Sequence, residues 1–583
     1  MKSGIIQSRR SRGDMKRMVS KVLAKNIEPL LAVAGKRLEK KYIAAAQNAE
    51  QAQLNVLNEI IGVAKDTEIG RRFHFETVNT HADYMRQVPV MDYEDLRPYV
   101  DRHVAGEQDV LFPGKPLIYT RTSGTTAKPK LIPISEYNFE KTIKNRGKLW
   151  LYGIAKQFPG VFEGKDFSLV SPAEDGYTAD GIPFGALSGF IYKNIPEFIQ
   201  RVHSIPYEVI CIKDFHARAY TLLRFGVPQN VTGVFTGNPS TLVNLATKAD
   251  EWKEDLIRDI ADGTLRANLD IEPEIRKSIT PLFEPAQKRA MQLEKIAGAS
   301  ERFLPKAYWP KLKVVHTWTN GNCRLVIPEL KQWFEDIPIL DFGYIASEIT
   351  ATDLVDAKNN GSRLALLSAF YEFSPEEEGD SPRTFLMAHQ LEQGRKYYIY
   401  VTTYSGLYRY NMNDVIEVVD MFHQAPVFHF LYKGHGVTSI QGEKLSESQL
   451  IEAMQRTGKH TGVDYGFFVA FANAARSTYE VYVELKNTDS ISDQRRFNAI
   501  LEKMLCDVNI EYEAKRKTER LRPVCIIPLV EDAFVKYRAM RLAEGAFEGQ
   551  LKWLHLSADP TVYDRMQKLV ADPDISECRQ KGA

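Results

Sequence analysis

Between residues 229 and 348, strand-like runs alternate with helical ones, and this alternation constrains the chain more than any other feature. "QNVTGVFTG" precedes the 3.6-period run "STLVNLATKADEWKEDLIRDI", "KLKVVHTWTNG" precedes "PELKQWFEDI", and "PILDFGYIASE" closes the series. Adjacent parallel strands cannot be joined by a tight turn, so each pair needs a crossover, usually a helix. Helices covering both faces let such strands be apolar along their whole length. The pattern predicts an α/β chain with parallel-sheet subdomains.

The texture differs on either side. Residues 14–105 are helical in pattern, most strongly in "AAAQNAEQAQLNVLNEIIGVAKD". From 362 to 432, short β-rich runs such as "KYYIYVTTY" and "APVFHFLYKG" predict an antiparallel, barrel-like lobe. "YKGHGVTSIQGEKLSESQL" then marks a boundary, where Gly434, Gly436 and Gly442 offer the backbone freedom of a hinge. Ser446 and Gln449 have the spacing of a capping box. "GFFVAFANAA" and "STYEVYVELK" read as paired strands, and Ser492–Cys506 as a helix. The organisation expected is a large N-terminal domain (1–432), a hinge (433–444) and a small hinged C-terminal α+β domain (445–583). A length of 583 residues accommodates three or four lobes of about 150 residues each.

Charge excludes some functions. The net charge is only +1, yet residues 1–41 hold twelve Lys/Arg against three Asp/Glu, which leaves the rest of the chain at −8. Such a body has no general attraction for nucleic acid. In the basic segment, Met15, Met18, Val19, Val22, Leu23 and Ile27 fall at helical spacing behind a cap at Asp14, and Pro29 interrupts the pattern. A terminal helix packing its apolar stripe on the body is the favoured reading over a membrane-surface or targeting helix. No run approaches ~18 consecutive apolar residues, so no membrane span is expected. Five scattered cysteines, at 211, 323, 506, 525 and 578, predict reduced thiols and a cytoplasmic location.

The chemistry begins at "YTRTSGTTAKPKLIPIS" (119–135), which sets Thr122, Ser123, Thr125 and Thr126 around Gly124, with Lys128 and Lys130 flanking a proline. Small hydroxyl residues and glycine let backbone N–H groups point into an anion site, and lysine adds charge. A polar hairpin turn draws on the same residues. Strand-like residues flank the loop on both sides, and the Walker pattern is absent. Ser135 is placed to cap a long helix through Leu151.

Three segments in order, "TSGTTAKPK", "YIASE" (344–348) and "GLYRYNMND" (406–414), resemble the phosphate loop, the aromatic-glutamate motif and the ribose-binding segment of the adenylate-forming (acyl-activating) superfamily. "VTTYSGLYRY", "AP.F.F" at 425–430, "DTEIGRRF" and "WKEDLIRDIADGTL" are similar to the auxin-responsive-promoter type of acyl acid amido synthetase. That resemblance spans about residues 50–555. It implies a ligase that uses ATP and Mg²⁺ to adenylate a small-molecule carboxylic acid, and then transfers the acyl group to an amine, typically of an amino acid. A monomer or weak dimer is expected.

Site roles follow from the same resemblance. Thr122, Ser123, Gly124, Thr125 and Thr126 would hold ATP phosphates, with Lys130 closing the loop. Tyr344 would stack on adenine, Ser347 and Arg409 would contact the nucleotide, Glu348 would bind Mg²⁺, and Asp414 would hold the ribose hydroxyls. The catalytic lysine is Lys552, in "GAFEGQLKWLHL", with Lys536 as its rival. Ala127 and Asn413 stand where relatives have glycine, and the Pro-Arg element after the lysine is missing. These departures keep open a nucleotide-binding scaffold without turnover, and the shared first half-reaction keeps open a thioester-forming acyl-CoA ligase.

Overall fold

The computed structural model describes residues 27–122, 130–379, 382–438, 440, 443, 445–486, 490–517, 521–544 and 553–571. Ser123, Gly124, Thr125, Thr126, Gly442, Lys552 and the basic run up to residue 26 lie outside them. Contacts divide the chain into two units: Met1–Met412 with Ile416–Phe430, and Asn413–Val415 with Leu431–Ala583.

The first unit opens with helices α1 (Ile27–Gln47) and α2 (Ala49–Ala64). Pro29, read from the sequence as an interruption, lies in the first turn of α1, where its missing N–H has no intrahelical partner to lose. Strands β1 (Pro116–Thr122) and β2 (Lys130–Ser135) pair antiparallel, with Thr122 opposite Lys130. The glycine- and threonine-rich segment therefore connects the two strands of a hairpin.

Ser135 caps the helix that follows, its side chain accepting from the Asn138 N–H. After Glu136–Asn138 comes one π turn, Phe139–Ile143, and then α3 (Lys144–Gln157). A π turn inserts a residue into the helical repeat and often marks a functional site.

The predicted alternation yields a four-stranded parallel sheet. In sequence the elements are β3 (Lys165–Ser168), β4 (Val231–Phe235), α4 (Pro239–Glu251), β5 (Val314–Thr317), α5 (Ile327–Phe334) and β6 (Ile339–Asp341). The strands lie in the order β3-β4-β5-β6, every pair parallel. All residues of β4 and β5 are buried, as expected where helices cover both faces.

The β-rich lobe is a six-stranded sheet built from β7 (Thr352–Asp356), β8 (Gly361–Leu364), β9 (Phe370–Pro375), β10 (Lys396–Thr402), β11 (Tyr410–Phe422) and β12 (Ala425–Lys433). Its order is β9-β10-β11-β12-β8-β7, with β7 and β9 at the edges. β7 pairs antiparallel with β8, β8 with β12, and β9 with β10.

The second unit holds α6 (Glu447–Thr461), β13 (Asp464–Asn473), β14 (Thr478–Lys486), α7 (Ile491–Val508), β15 (Cys525–Pro528) and β16 (Leu556–Ser557). The strand order is β15-β14-β13-β16. β13 and β14 form the expected hairpin, and β15 and β16 add parallel to it. The Ser446–Gln449 capping box is present in full, and α6 ends at Gly462 with φ +71°. Gly434 and Gly436 are buried in a short 3₁₀ turn. A Cβ on Gly436 would lie 3.3 Å from that of Glu447, so this glycine meets close packing as well as any need for freedom.

Cys211, Cys323 and Cys506 are free, whereas Cys525 is disulfide-bonded, which corrects the expectation of reduced thiols at that position. Among the described residues, no helix is long and apolar enough to cross a membrane.

Candidate active site

Glu348 and Ser347 lie on the loop between β6 and β7. An Ile345–Thr350 bridge closes this loop, and the Ala346 N–H donates to the Ile349 carbonyl at 2.8 Å. At its base, the Tyr344 N–H donates to Thr352 Oγ1 at 2.8 Å, and the Asp341 carboxylate accepts from the Gly343 N–H at 2.7 Å and the Thr319 N–H at 2.8 Å. Thr120 Oγ1 on β1 donates to the Ser347 carbonyl at 3.0 Å. The loop is thereby tied to the hairpin whose connection is the phosphate-type segment.

The same loop forms one wall of a half-open pocket whose enclosed part, about 20 Å³, has room for a water-sized group. The other wall is the helix after Ser135. Asn138, Thr142 and Arg146 line the cavity, together with Ser347, Glu348 and Ser368, and Ile134, Ile143, Leu187 and Ile349 supply apolar surface. Ser405 Oγ accepts from Asn138 Nδ2 at 2.9 Å, and Thr142 Oγ1 donates to the Asn138 carbonyl at 2.8 Å. These bonds hold the helix where the π turn begins.

Two charged groups line this space without an ion pair. Among the described residues, the half-buried Glu348 carboxylate has no hydrogen-bond or ion-pair partner. Arg146 donates one long bond, Nη1 to the Thr352 carbonyl at 3.3 Å, while its buried Nε has no acceptor. Burial holds its guanidinium below the ordinary arginine range. A buried charge left unpaired costs several kcal/mol, so such groups are characteristic of sites that receive a ligand.

The other residues singled out from the sequence are placed as follows. Lys130 begins β2, half-buried, with Nζ 5.4 Å from the Tyr93 ring centroid. Thr122 ends β1, and the four loop residues after it lie outside the described set. Tyr344 is 7% exposed, its ring 5.9 Å from Phe428 and 6.1 Å from Phe430. It is a largely buried side chain.

Arg409 is not brought to the cavity. Its Nε donates to Glu372 at 2.9 Å, its Nη1 to the Val88 carbonyl at 2.9 Å, and its guanidinium lies over Phe385. Asp414, on β11, is 3% exposed and belongs to the three residues grouped with the second unit. Asn413 before it has φ +51°, a left-handed conformation that glycine adopts freely and asparagine tolerates better than most residues. The departure from glycine at this position therefore keeps the backbone shape.

Sequence reasoning missed Asn138, Thr142 and Arg146. Their signal was polar residues recurring every four positions behind the Ser135 cap, on a face otherwise carrying Ile143 and Leu149.

Known proteins place these features in a lineage. The model of the GH3 family N-terminal domain matches residues 38–339, the central domain 363–433 and the C-terminal domain 448–561. The 4-substituted benzoates-glutamate ligase GH3.12 of Arabidopsis thaliana is 25% identical over 543 residues, covering 88% of this chain and 94% of the relative. Indole-3-acetic acid-amido synthetase GH3.3 of the same plant is 24% identical over 541 residues, covering 87% and 89%. Among solved structures, the GH3.15 acyl acid amido synthetase in complex with 2,4-DB shares the fold with a TM-score of 0.80 at 21% identity, covering 92% of this chain and 96% of that one. With matched domains of one family following each other along nearly its whole length, the chain belongs to the GH3 family and is an amide-bond-forming ligase.

Proposed function

We propose that the cavity beside Glu348 is where this ligase activates its acid. ATP adenylates a carboxylic acid with release of pyrophosphate, and an amino acid amine then takes the acyl group with release of AMP. The observation that carries this reading is the pairing, in the lining of one pocket, of a guanidinium held by a single long hydrogen bond and a carboxylate with unused lone pairs. Arg146 suits the acid, because a guanidinium donates to both oxygens of a carboxylate. Ile134, Ile143, Leu187 and Ile349 suit its hydrocarbon part. The relatives are named for indole-3-acetic acid and 4-substituted benzoates, which supports an aromatic acid.

The donors fit Mg²⁺. The ion takes one or two carboxylates and completes its shell with phosphate oxygens and water. Among the described residues no group of three or more His, Cys, Asp or Glu forms a closed metal cage, and Glu348 offers a single open carboxylate. Bound there, Mg²⁺ would offset negative charge where acid and phosphates approach.

The chain's own groups do the rest. Ser123, Gly124, Thr125 and Thr126 supply N–H and hydroxyl donors to the phosphates, Thr122 and Lys130 flank them, and Asp414 accepts from ribose. Arg146 aims one acid oxygen at the α-phosphorus, and the bond to pyrophosphate breaks as the new P–O bond forms. In the second step the amine attacks the activated carbonyl, loses a proton, and AMP departs. Lys552 would balance the charge of the first step. Lys536, its rival, donates to the Glu531 carbonyl at 2.9 Å from an exposed position. A cytoplasmic, monomeric or weakly dimeric enzyme completes the proposal; the free Cys211, Cys323 and Cys506 support a reducing compartment, and the disulfide at Cys525 speaks against one.

The test is pyrophosphate release from ATP and Mg²⁺ with a panel of aromatic acids, each with and without mixed amino acids or coenzyme A. Release that depends on one acid, with an amide as product, supports the reading. A thioester product, or release indifferent to Arg146→Gln and Glu348→Gln, overturns it.

A further inference from the structure

Next to Arg146 lies a charged side chain that this scheme leaves unused. Asp353 is on β7, against which α3 packs, and it is 4% exposed. Arg146 Nη1 bonds the carbonyl of the preceding residue, Thr352, at 3.3 Å. Yet among the described residues the Asp353 carboxylate makes neither a hydrogen bond nor an ion pair.

The other groups facing it are few. From α1 comes Tyr42, whose hydroxyl donates to the Leu364 carbonyl at 3.2 Å. From β9 comes Tyr371, whose buried hydroxyl has no partner. Arg363 on β8 acts on Tyr42 and is engaged by Asp356 at 2.8 Å. Arg146 is thus the cation that acts on Asp353, and Asp353 the carboxylate that acts on Arg146. Burial pushes the Asp353 carboxyl up to about 7, against the downward pull of Arg146.

We infer that Asp353 is a titrating counter-charge that sets how strongly Arg146 holds the acid substrate. The inference rests on the reading of Arg146 as the anchor of that acid. With Asp353 protonated, the guanidinium presents its whole charge to the cavity. With Asp353 ionised, that charge is shared with a buried carboxylate, which also repels an incoming anion. Affinity for the acid is therefore high below about pH 7 and falls as the pH rises through it, although the acid itself stays ionised throughout. Asp353 acts through Arg146 and touches no reacting atom, so it is a positioning residue.

The experiment uses benzoate and indole-3-acetate as probes, titrated calorimetrically into the wild-type protein, Asp353→Asn and Arg146→Gln between pH 6 and 8.5, with ATP binding measured alongside. We expect the wild-type Kd for the probes to rise about three- to tenfold across this range. Asp353→Asn should keep the low-pH affinity throughout, Arg146→Gln should bind the probes weakly at every pH, and ATP affinity should be the same in all three. If Asp353→Asn follows the wild-type slope, or binds the probes more weakly at every pH, the counter-charge is overturned while the acid site stands. If Arg146→Gln binds the probes as well as wild type, or wild type binds neither, the acid-site reading falls and takes the inference with it. A readout that needs no variant is the infrared pH-difference spectrum of the wild-type protein. It should show the carbonyl band of a protonated carboxylic acid disappearing near pH 7, and a spectrum without that band overturns the inference.

Discussion

Arg146 and Arg409 are two arginines of the first unit, one half-buried and one buried, and the fold surrounds them differently. Arg409 has a carboxylate, two backbone carbonyls and an aromatic ring around it, with Nη2 alone left without an acceptor, and Glu372 is itself shared with His81 at 3.0 Å. Arg146 has one long bond to a carbonyl and no ion pair. A charge enclosed by its own chain specifies structure. One left short of partners beside a cavity is available to a ligand. The contrast separates the two roles more sharply than residue type or burial does.

The largest effect should come from disturbing the enclosed pair. Arg409→Met strands Glu372 at 1% exposure and should cost about 3–5 kcal/mol in denaturant unfolding. Arg409→Met with Glu372→Gln should recover most of that loss, because no unpaired charge remains. If the single variant is as stable as wild type, the contrast is broken. At the cavity the pattern should invert. Arg146→Gln should lower acid-dependent kcat/KM on the order of 10²-fold while costing under about 1 kcal/mol of stability. A large stability loss there would make Arg146 a second structural arginine.

The next turn of the same helix sharpens the comparison. Trp150 packs edge-on against His316, which is fully buried with neither ring nitrogen hydrogen-bonded. Burial pushes the His316 imidazole down to about 3. The folded protein thus keeps it neutral while the unfolded chain protonates near pH 6.5. Its contribution is fully present above about pH 6.5 and is lost as the pH falls below it, by about 2 kcal/mol at pH 5. His103 and His555, both pushed down to about 4, add to the same loss. His316→Leu should flatten part of the decline in Tm between pH 7 and 5, and an unchanged slope would refute the assignment. The smallest effect sets the scale for an ordinary polar contact. Ser446→Ala removes one half of the capping box at α6 and should cost about 1 kcal/mol.

What the sequence revealed divides along the same line. Features written in neighbouring residues were legible: the crossovers from β4 to β6, the Ser135 cap, the Ser446–Gln449 box and the hairpin of β13 and β14. Features that depend on distant partners were not. Arg409 sits inside a motif expected to touch nucleotide, and its partner Glu372, 37 residues away on β9, is not legible from that motif. Tyr344 packs against Phe428 and Phe430, contacts that nothing in its own segment announces. Arg146 and Asp353 meet only because α3 packs on β7, and no periodicity within either segment announces that contact.

The π turn at Phe139–Ile143 has a consequence for how such a cavity changes over generations. It holds one residue more than an α-helical repeat, and each residue turns a helix by about 100°. Losing one codon there would rotate the whole of α3 against the Ser135 cap, keep it helical, and exchange Arg146 for a neighbour at the cavity wall. A single in-frame deletion is then one route to reshaping this pocket wall, a change that scans of point substitutions never sample.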